Sequence, residues 1–128
     1  MIVQRILLIS AGAALGANAR YLVTIWAEER FGVDFPYGTL LVNVTGSLLL
    51  GLVLELVVLN VVASPEMRLL VTTGFLGSYT TFSTYTVESL ALISEGEIGI
   101  GLLYIGSNVV LGLLFALLGL YLARLIVA

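Results

Sequence analysis

Cysteine, histidine and lysine are all missing from this chain, proline occurs only twice, and charged residues make up 10% of its 128 positions. Each absence removes a class of chemistry. Without cysteine there is neither a disulfide framework nor a thiol nucleophile, and without histidine the commonest proton shuttle and metal ligand is gone, so zinc and redox readings lose their support. Five basic residues, all arginine, stand against eight acids for a formal charge of −3, with no basic tract to attract nucleic acid. No serine lies beside a plausible base, so no catalytic constellation is present and the chain does not read as an enzyme.

What is abundant is apolar: 60% of the residues are hydrophobic and the mean hydropathy is +1.17. Soluble chains carry about a quarter charged residues, so this composition describes an integral membrane protein. A helix needs roughly 20 apolar residues to cross the hydrocarbon core. Four spans, expected at about residues 3–27, 38–62, 67–93 and 98–126, therefore nearly exhaust one all-α domain. The apolar runs are continuous rather than alternating, which excludes a strand barrel. No small-residue cleavage site follows a short apolar region at the start, so the first span reads as retained helix and not as a signal peptide. Gly32, Asp34 and Pro36 mark the first link, Ser64 and Pro65 a helix cap and first helical position, and Ser94-Glu95-Gly96-Glu97 the last turn.

The stretch from Gly74 to Glu88 organises the rest: GFLGSYTTFSTYTVE places hydroxyls, two glycines, aromatics and an acid inside an apolar run. In hydrocarbon each unpaired polar group costs several kcal/mol, so such a cluster must face protein, water or an ion. Gly77 tolerates unusual dihedrals and Ser and Thr can cap backbone, so Gly77-Ser78-Tyr79-Thr80-Thr81 reads as a helix interruption. The competing reading is an unbroken helix whose hydroxyls bond back to preceding carbonyls.

Other polar residues recur at helical spacing. Thr39, Asn43 and Ser47 form one stripe on the second span with Gly46 beside it, and Tyr104, Asn108 and Gly112 form another on the fourth, next to Ser107. Each stripe serves either interhelical hydrogen bonds or a lined pathway. Phe82, Tyr85 and Glu88 follow one another at steps of three, which suits packing as well as a site. On the first span Gly12 and Gly16 form a small-xxx-small contact. Arg20 either snorkels to the interface near Trp26 or draws anions to a pathway mouth. Glu55 is expected at a solvated end.

These side chains fit a small dehydrated anion better than a cation. Such an ion wants N–H and O–H donors and the positive rims of aromatic rings, and it avoids carboxylates. Asn43, Thr39, Ser83, Thr84, Ser107 and Asn108 offer donors, and Phe82 and Tyr85 offer ring edges. Carbonyls freed by a break near Gly77 and Thr80 are the opposite kind of group and suit a hard cation. The arginines fall three (Arg5, Arg68, Arg124) against one or two (Arg30, Arg20) on the two sides, a bias too weak to impose one orientation. Four helices enclose little interior, so the stripes are expected to meet those of a second subunit.

Taken together, Gly12-xxx-Gly16-xxx-Arg20-Tyr21, Gly38-Thr39-xxx-Asn43-xxx-Ser47, Gly74-Phe75-Leu76-Gly77-Ser78-Tyr79-Thr80-Thr81-Phe82-Ser83-Thr84 and Tyr104-xxx-Asn108-xxx-Gly112 resemble the CrcB/Fluc fluoride channel family over essentially the whole chain. The resemblance implies an antiparallel, dual-topology homodimer in the plasma membrane, with a broken third helix and two fluoride pores that passively export fluoride trapped in the cytoplasm. It further implies Asn43 as the pore amide, Phe82 as a ring of an aromatic box and Tyr104 with Asn108 along a polar track. Arg20 would lie in the vestibule. A sodium ion at the dimer centre would be held by the carbonyls of Gly77 and Thr80. Tyr85 departs from the phenylalanine, and Asn108 from the serine, that many members carry. A proton-coupled exporter of organic cations is the alternative, and it would want a central acid where the first span has only Arg20; a non-transporting assembly subunit is a third.

Overall fold

The computed structural model describes residues 1–128 and is helical throughout, with no strand. Helix α1 covers Ile2–Phe31 and α2 covers Tyr37–Val58. The third run comprises α3 (Pro65–Arg68), a π-helical stretch (Leu69–Leu76), α4 (Gly77–Tyr79) and α5 (Phe82–Ser94), and α6 covers Ile98–Val127. Helices α1, α2 and α6 are each long and apolar enough to cross a membrane. The third run has the length but not the continuity.

Local chemistry sets the ends. Helix α1 continues past the expected stop at Ala27 until Gly32, whose φ of 83° suits glycine and turns the chain. At α3 the Ser64 hydroxyl accepts from the Met67 amide at 3.2 Å, with Pro65 at the first position where its missing N–H costs nothing. The π stretch has no counterpart in the sequence reading, because the wider i→i+5 turn has no residue signature of its own.

Close packing rests on glycine. A Cβ on Gly12 or Gly16 would strike the Leu70 and Phe75 carbonyls, so α1 lies directly on the π stretch, as its small-xxx-small pattern implies. Gly51 and Gly119 do the same for α2 and α6 against the Ala116 and Leu48 carbonyls. Helix α5 runs along α6, and Val42, Leu76 and Tyr79 form a small buried core. Outside it, large apolar side chains such as Leu15, Leu22, Leu103 and Leu113 are exposed, a surface suited to lipid rather than water.

The opposite polarity is hidden. Glu55 is 8% exposed and accepts from Arg124 Nε at 2.7 Å, so the expected solvated acid is a buried, paired one. Burial of a carboxylate this far along α2 demands a partner, and α6 supplies it.

Candidate functional site

The third run breaks at Thr80 and Thr81, both extended, with φ/ψ of −84°/158° and −150°/122°. Gly77 is ordinary right-handed helix at −63°/−30°, so glycine's freedom is not what opens the run. The opening comes from Thr81, whose hydroxyl caps α5 by accepting from the Thr84 amide at 3.3 Å. Its own amide leaves the helical ladder and donates to Asn43 Oδ1 at 2.8 Å. In a continuous helix the Thr81 and Thr84 amides would bond the carbonyls of Gly77 and Thr80. Those two carbonyls lose their helical donors. They are hard oxygen atoms on one short segment, the donor type an alkali cation takes, and the Gly77 backbone is exposed.

Asn43 bridges the break. Its Nδ2 donates to the Thr81 carbonyl at 3.0 Å and to Asn108 Oδ1 at 3.1 Å, while its Oδ1 holds the Thr81 amide. One amide side chain thus ties α2, the broken run and α6 together. Asn108 passes the chain on by donating to the Tyr104 carbonyl at 3.1 Å, which leaves it one further N–H. Ser47 bonds back to the Asn43 carbonyl at 2.7 Å.

A second cluster lies one turn away. Glu88 accepts from Tyr104 Oη at 2.6 Å and from Thr39 Oγ1 at 3.0 Å, so one member of each expected stripe converges on a carboxylate. Tyr104 is fully buried, with Phe35 edge-on at 5.4 Å and Tyr85 tilted at 5.6 Å between ring centroids. Tyr85 also meets Phe82 at 5.7 Å.

Two hollows flank the break. One, of about 280 Å³, is lined by Asn43, Ser47, Thr80, Phe82, Tyr85 and Asn108. Phe82 is 76% exposed at its rim, so this chain alone does not enclose the ring. The other hollow is lined by Arg20, Tyr21, Thr39, Thr84 and Glu88. Arg20 is half-buried there with no carboxylate in ion-pair range. Thr81 lines both hollows and forms the wall between them. Ser83 and Thr84 are exposed on the first turn of α5, where unpaired amides and the helix dipole favour negative charge. Ser107 is half-buried on α6 and lies outside the Asn43 hollow.

The arrangement sets a hollow of amide donors and ring edges beside a second hollow that holds Arg20 and Glu88, with Thr81 between them, inside an apolar shell. A family model described as CrcB-like protein, Camphor Resistance (CrcB), matches residues 7–120, nearly all of the helical core. The chain belongs to the CrcB family.

Relatives of this CrcB chain include the fluoride-specific ion channel FluC of Acidobacterium capsulatum, 46% identical over 125 residues that cover 98% of this chain and 100% of the relative. The FluC of Rhizobium meliloti is 48% identical over 97% of this chain and 99% of its own length. That of Clostridium perfringens is 41% identical over 94% of both. The CrcB chain is a multi-pass membrane protein. Helical spacing in the sequence aligns Thr39 with Asn43 and Tyr104 with Asn108, and polarity inside an apolar run marks the break, whereas neither singles out Thr81 and Glu88, the hubs of the two clusters. The Thr81-xx-Thr84 interval is compatible with an N-cap, a signal that points to the first hub.

Proposed function

We propose that this chain forms a fluoride-selective channel that lets fluoride leave the cytoplasm passively and electrogenically. The single observation that carries the reading is the Asn43 bridge. It holds a helix open inside the membrane, and beside the opening stand donors, ring edges and an unpaired arginine. A guanidinium without a carboxylate partner costs several kcal/mol in hydrocarbon, so Arg20 beside the break calls for water or an anion in its hollow. The names of the relatives give the ion.

In this reading the third run is also a span, which brings the total to four, and it crosses as two half-helices. Arg20 gathers anions in its hollow, and the first turn of α5 with Ser83 and Thr84 receives them past the Thr81 wall. Asn108, with one further N–H, and the edges of Phe82 and Tyr85 replace lost water in the next hollow, and Asn43, whose own amide hydrogens are engaged, holds Asn108 and the break in position. Thr39, Tyr104 and Ser107 continue the polar track. A neutral donor lining binds a small anion without trapping it. Exposed Phe82 is completed by a second copy, inverted in the membrane, which makes an antiparallel homodimer with two pores. The carbonyls of Gly77 and Thr80 would hold a sodium ion between the copies; when bound it supplies a fixed positive charge at the dimer centre.

The test is purified protein in liposomes, read with a fluoride electrode and, in parallel, by efflux of a cationic dye. Fluoride release that stops unless an ionophore balances the charge, with no dye release, is the expected result. Dye release driven by a proton gradient would replace this reading with an organic-cation exporter, and the absence of both fluxes would leave an assembly subunit.

A further inference from the structure

Of the five arginines, Arg124 is paired with Glu55 and Arg20 belongs to the hollow beside the break, whereas Arg5 and Arg68 share a separate hollow at the other end of the helices. Arg5 comes from the first turns of α1, and Arg68 ends α3. Neither has a carboxylate in ion-pair range. Three segments converge on the hollow, which measures about 370 Å³, within the range of roughly 300–1,000 Å³ seen for small-molecule sites.

Its walls are of two kinds. Val57 and Val62, from the end of α2 and the following turn, and Leu69 make an apolar side; Ser64, Thr72 and Thr73 make a polar one. Most of the polar side is already committed. Ser64 donates to Glu66 Oε2 at 3.1 Å and Thr72 to the Arg68 carbonyl at 2.8 Å. Glu66 is the one acid of the lining, against two guanidinium groups. The uncommitted groups are therefore the Thr73 hydroxyl and the two guanidiniums, the latter planar forks that match the oxygens of a phosphate group two at a time.

We propose that this hollow binds a phosphate oxyanion, with an anionic phospholipid headgroup as the source that its apolar side fits. Val57, Val62 and Leu69 give an acyl chain a wall beside the charged end, an arrangement a soluble anion has no use for. Basic hollows at helix ends of membrane proteins take such headgroups by the same two contacts. The site is independent of the break and of Asn43, and neither arginine lines the hollows of the proposed pathway.

Native mass spectrometry on protein from neutral detergent, offered equal phosphatidylglycerol and phosphatidylcholine, provides the test. Wild type and an Arg30→Gln control should retain phosphatidylglycerol in preference by about tenfold, the weight of one charge-assisted contact. Arg5→Gln/Arg68→Gln should bring the two lipids to parity while circular dichroism and fluoride flux stay at wild-type levels. A parallel arm replaces the lipid with inorganic phosphate and reads the thermal midpoint. A rise that needs both arginines, without a lipid preference, supports the oxyanion site and assigns it to a soluble source. Unchanged lipid preference in the double variant, or equal loss in Arg30→Gln, overturns the proposal. Failure of fluoride flux in wild type would bear on the channel reading alone.

Discussion

At the scale of single residues, Asn43 is the atom-by-atom centre of the account. Its carbonyl oxygen and both amide hydrogens are engaged, to the Thr81 amide, the Thr81 carbonyl and Asn108. Asn43→Asp keeps an acceptor for the Thr81 amide and removes both donors, setting carboxylate oxygens against the Thr81 carbonyl and Asn108 Oδ1. Unfolding in detergent should show a loss of about 1–3 kcal/mol, the cost of unmatched buried polar atoms. Fluoride release should fall by at least about tenfold, since 1.4 kcal/mol on the barrier is a factor of ten. Glu55 makes the parallel case for stability. Arg124→Leu strands a buried carboxylate and should destabilise by about 1–3 kcal/mol, while Glu55→Leu/Arg124→Leu should recover most of it, measured by thermal melts of both variants.

At the scale of elements, the broken run depends on capping more than on glycine. Thr81→Ala removes the hydroxyl that accepts from Thr84 and should cost about 1 kcal/mol, with fluoride flux reduced because the wall between the two hollows loses its fixed position. Chemical denaturation and flux of the same preparation check both halves. The contrast between what sequence reveals and hides is sharpest here. Thr39, Asn43, Tyr104 and Asn108 are legible because a 3.6-residue turn puts residues four apart on one face. The break is legible as polarity inside an apolar run, and of the two causes the sequence offers, the freedom of Gly77 and capping by Ser or Thr, the second operates, at Thr81. Whether a threonine caps a helix or bonds back to it depends on a partner arriving from elsewhere. For Thr81 that partner is Asn43, 38 positions earlier in the chain. Glu88 was hidden for the same reason, since Thr39 and Tyr104 reach it from two other helices. Glu55 looked solvated because its partner lies 69 positions away.

At the scale of the whole molecule, the exterior is apolar, the ends are weakly biased in charge, and an aromatic ring of the site stands open. The proposed inverted pair accounts for all three, because a chain without strong positive bias inserts both ways and a second copy covers Phe82. The absence of native cysteine makes this directly testable. A single Ala128→Cys variant in intact cells should be labelled by an impermeant maleimide on part of the population, and fully only after permeabilisation. Complete labelling or complete protection before permeabilisation would mean one fixed orientation.

The most direct measurement of the central claim is fluoride against chloride release from liposomes carrying wild type or Asn43→Ala, with the dimer checked by size exclusion. Wild type should release fluoride and retain chloride, and Asn43→Ala should lose most of the fluoride release while eluting unchanged. Equal release of both halides by wild type, or full fluoride release by Asn43→Ala, would contradict it.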